Sequence, residues 1–219
     1  MAGILRLSTK YEIPYLRQRA LRHLDTVMPC NTLQDFDARM NNRTIPPTTD
    51  LVYFIADLVH EMDLPWLLPT VLCICTMSFG EFATGYIYKG ERRWLNSSQQ
   101  VACIKALKPL LNWYRKNFLS FLYWTNVDGC KSSAKCNEGR LIIVGECASY
   151  EINLSLGSFS DVFEQDIPIR KAVCTTCFIA SRNAHSAARE ALWEALPGLF
   201  DLPSWETLRT LREEALTRS

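Results

Sequence analysis

The sequence predicts an all-α protein, an irregular helical domain rather than a solenoid. Apolar residues recur at spacings of three and four through most of the chain. No stretch of comparable length alternates apolar and polar residues as a half-buried strand does, and no fixed internal period argues for a repeat array. The composition sets the scale: 219 residues, 48% hydrophobic and 21% charged, with 9 glycines and 10 prolines, are globular and can form a core without covalent staples.

The elements follow in order. Leu5 and Leu7 lead toward Tyr11 in a first short helix, which Ile13-Pro14 ends, placing proline in the first turn of a second. There Leu16, Ala20, Leu21 and Leu24 form one apolar face. A polar linker, "NNRTIPPTTD" (41–50), offers Thr49 or Asp50 as N-cap for a helix whose stripe is Leu51, Phe54, Ile55, Leu58, Val59 and Met62. Asp63 then caps, and Pro65 opens, a helix through Trp66, Leu67, Val71 and Leu72, kinked early by Pro69. A turn is expected around "YKGERRW".

After Asn96-Ser97-Ser98 comes the longest periodic run, with Val101, Ile104, Leu107, Leu111, Tyr114, Phe118 and Leu122 on one face and a kink at Pro109. In the final third Val173, Cys177, Ala180, Ala184, Ala188, Leu192 and Leu196 share a face, and a last helix opens at Pro203 with Trp205, Leu208, Leu211 and Leu216 inward. One piece is ambiguous: "RLIIVGECASYEINLSL" (140–156) fits a short strand around 141–154 or a buried helix equally well.

Several function classes lack support. Lys plus Arg (24) nearly balance Asp plus Glu (23), leaving no electrostatic motive for nucleic acid or an anionic membrane. The longest apolar run, Leu64–Met77, is too short for a bilayer and holds Pro65 and Pro69. The start does not read as a signal peptide, so an intracellular protein is expected, in the nucleus or the cytoplasm. There is no Gly-rich phosphate loop, no G-x-S-x-G and no H-E-x-x-H, and His60 and Glu61, being helix neighbours, do not face each other. The chain therefore reads as non-enzymatic.

The cysteines carry the chemistry. Four of the nine form two pairs, Cys130 and Cys136 in "DGCKSSAKCNEGR" and Cys174 and Cys177 in "VCTTCFIA". Zinc accepts a tetrahedron of thiolates with Zn–S near ~2.3 Å, and a closed site needs two such pairs brought together by the fold. The first pair lies in a polar, Gly-flanked loop. The second suits the first turn of a helix, where free N–H groups favour thiolates, and Lys131, Lys135, Arg140, Arg170 and Lys171 are near in sequence. The five-residue gap of the first pair is wider than that of common zinc fingers. Other readings stay open: Cys174 and Cys177 as small apolar residues in a helix contact with Cys130 and Cys136 as loop thiols, or a redox dithiol. His185 lies eight residues beyond Cys177, about 12 Å along a helix, too far to share an ion. Cys30, Cys73, Cys75, Cys103 and Cys147 read as core. Trp193, Phe200 and Trp205 pin a helical hairpin or form an exposed aromatic patch for a partner.

The opening "LRLSTKYEIPYLRQRALRHL" resembles the last helical pair of a BTB/POZ domain. With "TIPP" (44–47), "LPWLLP" (64–69), the Gly129–Cys136 and Cys174–Cys177 motifs and "AREALWEALPGLFDLPSWETL", the chain is similar to the C-terminal part of BTB-domain proteins abundant in mushroom-forming fungi. The resemblance implies that 1–28 is a remnant of the terminal BTB helices, without the BTB core upstream, and that 29–219 is a helical extension continuous with it or separate. It also implies a non-catalytic interaction or adaptor module whose partners are other proteins. The rival expectation is a zinc-stabilised nuclear regulator with one structural zinc at the four cysteines.

Overall fold

A computed structural model describes residues 1–38, 48–77, 79–149, 156–166 and 169–217. The helices are α1 (Ala2–Lys10), α2 (Pro14–Val27), α3 (Leu33–Ala38), α4 (Thr49–Glu61), α5 (Leu68–Met77), α6 (Phe79–Thr84), α7 (Ser97–Trp113), α8 (Ser133–Ser149), α9 (Ile169–Ala172), α10 (Thr175–Leu199) and α11 (Trp205–Thr217). One antiparallel hairpin pairs β1 (Tyr86–Tyr88) with β2 (Glu91–Arg93). The fold is all-α, as the periodicity predicts. Two compact units compose it: the first holds Met1–Leu107 and Ala195–Ser219, the second Lys108–Glu194. Residues 1–28 are part of the first unit.

In the first unit α4 is the central element, with Val52 to Ala56, Leu58 and Val59 all buried. Its N-cap is Thr48, whose hydroxyl accepts from the Leu51 N–H at 3.3 Å, rather than Thr49 or Asp50. The hairpin is anchored on this helix. Tyr88 stacks on Phe54 with ring centroids 3.9 Å apart, the Tyr86 hydroxyl donates to Asp57, and the Ile87 N–H donates to Asp50 at 2.8 Å. Lys89 and Gly90 both take positive φ, 53° and 81°, the turn geometry that matches the twist of a two-residue hairpin. The turn expected at "YKGERRW" is therefore present, flanked by strands too short for alternation to announce them.

Three helix ends share one device. Glu12, Asp63 and Asp201 adopt left-handed backbone (φ 51°, 52° and 56°). The next N–H reaches back five residues each time, Ile13 to Ser8, Leu64 to Val59 and Leu202 to Pro197, at 2.9, 3.0 and 2.9 Å. These are Schellman closures, and each is followed by proline, Pro14, Pro65 or Pro203, which cannot continue the helix. Asp63 thus ends α4 and does not cap the helix after it. Pro65 opens a short 3-10 turn, Pro65–Leu67, before α5. Pro203 precedes the last helix by two residues, and Ser204 receives the Thr207 N–H at its start.

Helix α11 is held to α2 by Arg212, whose Nε donates to both Asp25 carboxylate oxygens at 2.9 and 3.0 Å. Arg209 donates to the Asn31 carbonyl at 3.0 Å. On α2, Ala20, Leu21 and Leu24 are buried as expected, but Leu16 is exposed.

The longest periodic run departs most from its expected form. Helix α7 stops at Trp113 and gives way to a π-helical turn, Tyr114–Phe118, and a 3-10 turn, Ser120–Tyr123. Its buried face in the first unit is Gln99, Cys103 and Ala106, while Val101 and Ile104 are exposed. Small side chains explain the choice: the Cys103 sulfur sits 3.8 Å from the Leu72 carbonyl, and Gln99 donates to the buried Ala56 carbonyl at 2.8 Å. Bulky residues there would hold the helix away from α4 and α5.

The second unit packs α8, α9 and the first five turns of α10 around Phe121, Leu122, Ile143, Phe159, Phe163, Ile169 and Phe178. Residues 141–149, read as strand or helix, are helix; 150–154, like the Thr44–Pro47 motif, lie outside the described residues. His185 of α10 lies in this unit with its ring edge-on to Phe118, Phe159 and Phe163, centroids 5.0 to 5.6 Å away. Burial, aided by the charge of Arg189, lowers its pKa from 6.5 to about 3. The native imidazole is therefore neutral while the unfolded chain takes up a proton near pH ~6.5. That stability is fully present above the unfolded value and is lost as pH falls toward 3. In urea unfolding at stepped pH, the protein is expected to lose roughly 1 kcal/mol per pH unit below about pH 6 from this group. His185→Leu flattens that slope.

Candidate metal centre

Local chain geometry presents each of the four paired cysteines. Gly129 takes φ +76°, a left-handed conformation that glycine adopts without penalty, and the Cys130 N–H closes the turn on the Val127 carbonyl at 3.0 Å. Three residues on, α8 begins, and Cys136 lies in its first turn with its N–H bonded to Ser132. Only Cys130 is therefore a loop residue; Cys136 belongs to a helix, which corrects the reading of both as loop thiols. Cys174 occupies the gap between α9 and α10, and its carbonyl receives the Phe178 N–H at 2.9 Å. It is thus the N-cap of α10, and Cys177 is the third helical residue, as the C-x-x-C spacing at a helix start requires.

Glycine also brings the pairs together. A Cβ on Gly139 would lie 2.0 Å from the Ala172 carbonyl oxygen and 2.8 Å from its carbon. Helix α8 therefore rests directly on the backbone of α9, three residues beyond Cys136 and two before Cys174. The sulfurs of Cys130, Cys136, Cys174 and Cys177 all lie within 4.8 Å of one another. Cys130 Sγ is 3.8 Å from both Cys136 Sγ and Cys174 Sγ. A tetrahedron of sulfurs around an ion with bonds of ~2.3 Å has edges of about 3.8 Å. Among the described residues, these four form the one group of three or more His, Cys, Asp or Glu donors close enough to hold a metal ion. His185 is not in it.

All nine cysteines are free thiols, and electrostatics set Cys174 apart from those in the core. The Cys177 N–H, donated to Cys174 as an N-cap, lowers the Cys174 thiol to about 7. The Cys174 N–H in turn donates to Cys136 Sγ at 3.3 Å. Burial raises Cys136, and it raises Cys177 to about 12 against the opposing pull of Arg140. Burial is likewise the largest cause at Cys30, Cys75, Cys103 and Cys147, all of which are raised. With Cys73 also buried, all five take the core role expected of them. Of the five basic residues near the pairs in sequence, Arg140 is buried and the others are exposed, Arg170 lying over the Phe178 ring at 5.4 Å.

Trp193, Phe200 and Trp205 are all buried, so they form core and not an exposed aromatic patch. Sequence reading missed the exposed apolar row of α1, where Ile4, Leu7 and Tyr11 are 50%, 56% and 62% exposed. Their spacing of three and four is the one signal the sequence carries for this row. Among the described residues no helix is long and apolar enough to cross a membrane. No protein-family model, curated protein or solved structure matches the chain.

Gly139→Ala tests the approach of the two pairs. It is expected to destabilise the fold by about 1–3 kcal/mol, the usual cost of overpacking, measured by urea unfolding. It should also widen the sulfur cluster, whereas Gly145→Ala on the same helix, where a Cβ meets nothing within 4 Å, should do neither.

Proposed function

We propose that this chain is a non-catalytic protein-interaction module whose second unit is fastened by a structural zinc ion on Cys130, Cys136, Cys174 and Cys177. The observation that carries the metal half is the four-sulfur cluster, with 3.8 Å separations that match a tetrathiolate tetrahedron. Four thiolates form a closed coordination set, the hallmark of a structural rather than a catalytic zinc site. Backbone N–H donors to Cys136 and Cys174 supply the outer-shell bonds that orient metal ligands and sustain their charge. Since the ligands come from a turn, α8 and the start of α10, binding ties distant parts of the sequence, and its free energy adds to folding.

The interaction half rests on the first unit. The row of Ile4 and Leu7 on α1 and Tyr11 at its C-terminus is followed in sequence by Ile13, itself exposed. Ile13 also lines a groove of about 660 Å³ together with Glu12, Arg17, Asp63, Trp66 and Glu214, a volume in the range of binding clefts. An exposed apolar row beside a polar-rimmed groove favours a protein partner. The order of motifs shared with the C-terminal part of BTB-domain proteins supports the same adaptor role. A nuclear regulator that binds nucleic acid is less well supported, because the net charge is only +1.

Purified under reducing conditions without chelator, the protein is expected to carry one zinc per chain by elemental analysis. Removal by a strong chelator should lower the melting temperature, and Cys136→Ser should abolish stoichiometric zinc. Absence of metal from reduced, chelator-free protein overturns the metal half. For the interaction half, a photo-crosslinking residue at Tyr11 is expected to give a discrete adduct with a partner protein in cells, lost on Leu7→Glu with the melting temperature unchanged. An adduct indifferent to Leu7→Glu, or none, overturns it.

A further inference from the structure

The buried guanidinium of Arg140 is the feature of this site left unexplained by packing. It lies one helical turn after Cys136 on α8, at 1% exposure, among the largest fully buried side chains of the protein. Its Nη2 donates to Asn137 Oδ1 at 2.6 Å, and Asn137 is itself tied by its Nδ2 to the Thr125 carbonyl at 3.0 Å. Among the described residues the remaining nitrogens, Nε and Nη1, are buried with no nitrogen or oxygen partner and no carboxylate pairs with the group; the neighbour left to the guanidinium is the Cys177 thiol. A buried cation held this way is unfavourable unless an anion compensates it. The anion at hand is the thiolate cluster: Cys136 and Cys177 are buried in the same core, on either side of the Gly139 contact. A divalent ion on four thiolates carries a net charge of −2, which in a half-buried setting needs a nearby positive charge.

We propose that Arg140 is the outer-sphere counter-charge of the tetrathiolate site, positioned by Asn137 to stabilise the dianionic metal complex. This rests on the metal reading above. In support, Arg140 is the charged side chain that opposes the upward shift of the Cys177 thiol. The residue is a positioning group: it makes no bond to the metal, and it sets how firmly the four sulfurs hold one.

The test compares the full-length wild type, Arg140→Gln and Arg140→Lys, with Co²⁺ as spectroscopic probe and Zn²⁺ in competition with a chromophoric chelator. All three are expected to give the thiolate charge-transfer band of a four-sulfur Co²⁺ site. Zinc affinity should fall ten- to a hundred-fold in Arg140→Gln and recover in part in Arg140→Lys. The pH at which protons displace Co²⁺ should rise in Arg140→Gln and return toward the wild-type value in Arg140→Lys, a rescue by charge that lost packing alone does not produce. Equal affinities and equal pH midpoints for wild type and Arg140→Gln, with Co²⁺ bound by both, overturn the counter-charge while leaving the metal reading intact. No Co²⁺ band in the wild type overturns both. If Arg140→Gln does not fold, Asn137→Ala decides: it keeps the charge but frees the guanidinium, and a several-fold loss is expected, while unchanged affinity overturns the proposal.

Discussion

The arrangement of the second unit depends on one close approach, that of α8 to the backbone of α9 at Gly139. With its Cα within reach of the Ala172 carbonyl, no side chain larger than hydrogen fits. That contact sets the distance between the helix that carries Cys136 and the turn that presents Cys174. Arg140, the next residue, is buried as well. Interiors are close-packed and transmit small displacements, so a methyl group at this point would move sulfur atoms whose separations are useful only within a few tenths of an ångström.

Two kinds of cysteine follow from two kinds of surroundings. Those buried among apolar side chains, such as Cys75 and Cys103, are held as neutral thiols, because a thiolate there would lose its solvation without compensation. Of the paired ones, Cys136 and Cys174 lie at helix starts, where backbone N–H groups have no carbonyl to meet and turn to sulfur instead, although burial still raises Cys136 and Cys177. The same asymmetry of helix ends organises the first unit. There three acidic residues in left-handed backbone, each followed by an aliphatic residue and a proline, close α1, α4 and α10 and redirect the chain.

The local signals were legible where they depended on neighbours in sequence. Pro14 opening α2, the C-x-x-C at the start of α10 and the long apolar stripe of α4 all read correctly, since each needs only the geometry of one turn or one helix. The buried face of α7 did not. Apolar residues lie on both of its sides, and the choice fell to Cys103 and Ala106 because α5 approaches closely there, a fact of the partner helix. The left-handed closures at Glu12, Asp63 and Asp201 were likewise hidden, because residues other than glycine at those positions give no conspicuous mark.

By itself the sequence determined the helical class, the two cysteine pairs as the chemically notable residues and the near balance of positive and negative charge, because periodicity, spacing and composition are properties of the chain alone. That the two pairs meet within 4.8 Å, that a buried arginine stands beside them and that a row of apolar residues on α1 stays exposed were decided only by tertiary structure. Each depends on which surfaces touch across tens of residues. Cys136 and Cys174 are separated by 38 positions, and nothing in either segment specifies the other until Gly139 lets their helices come together.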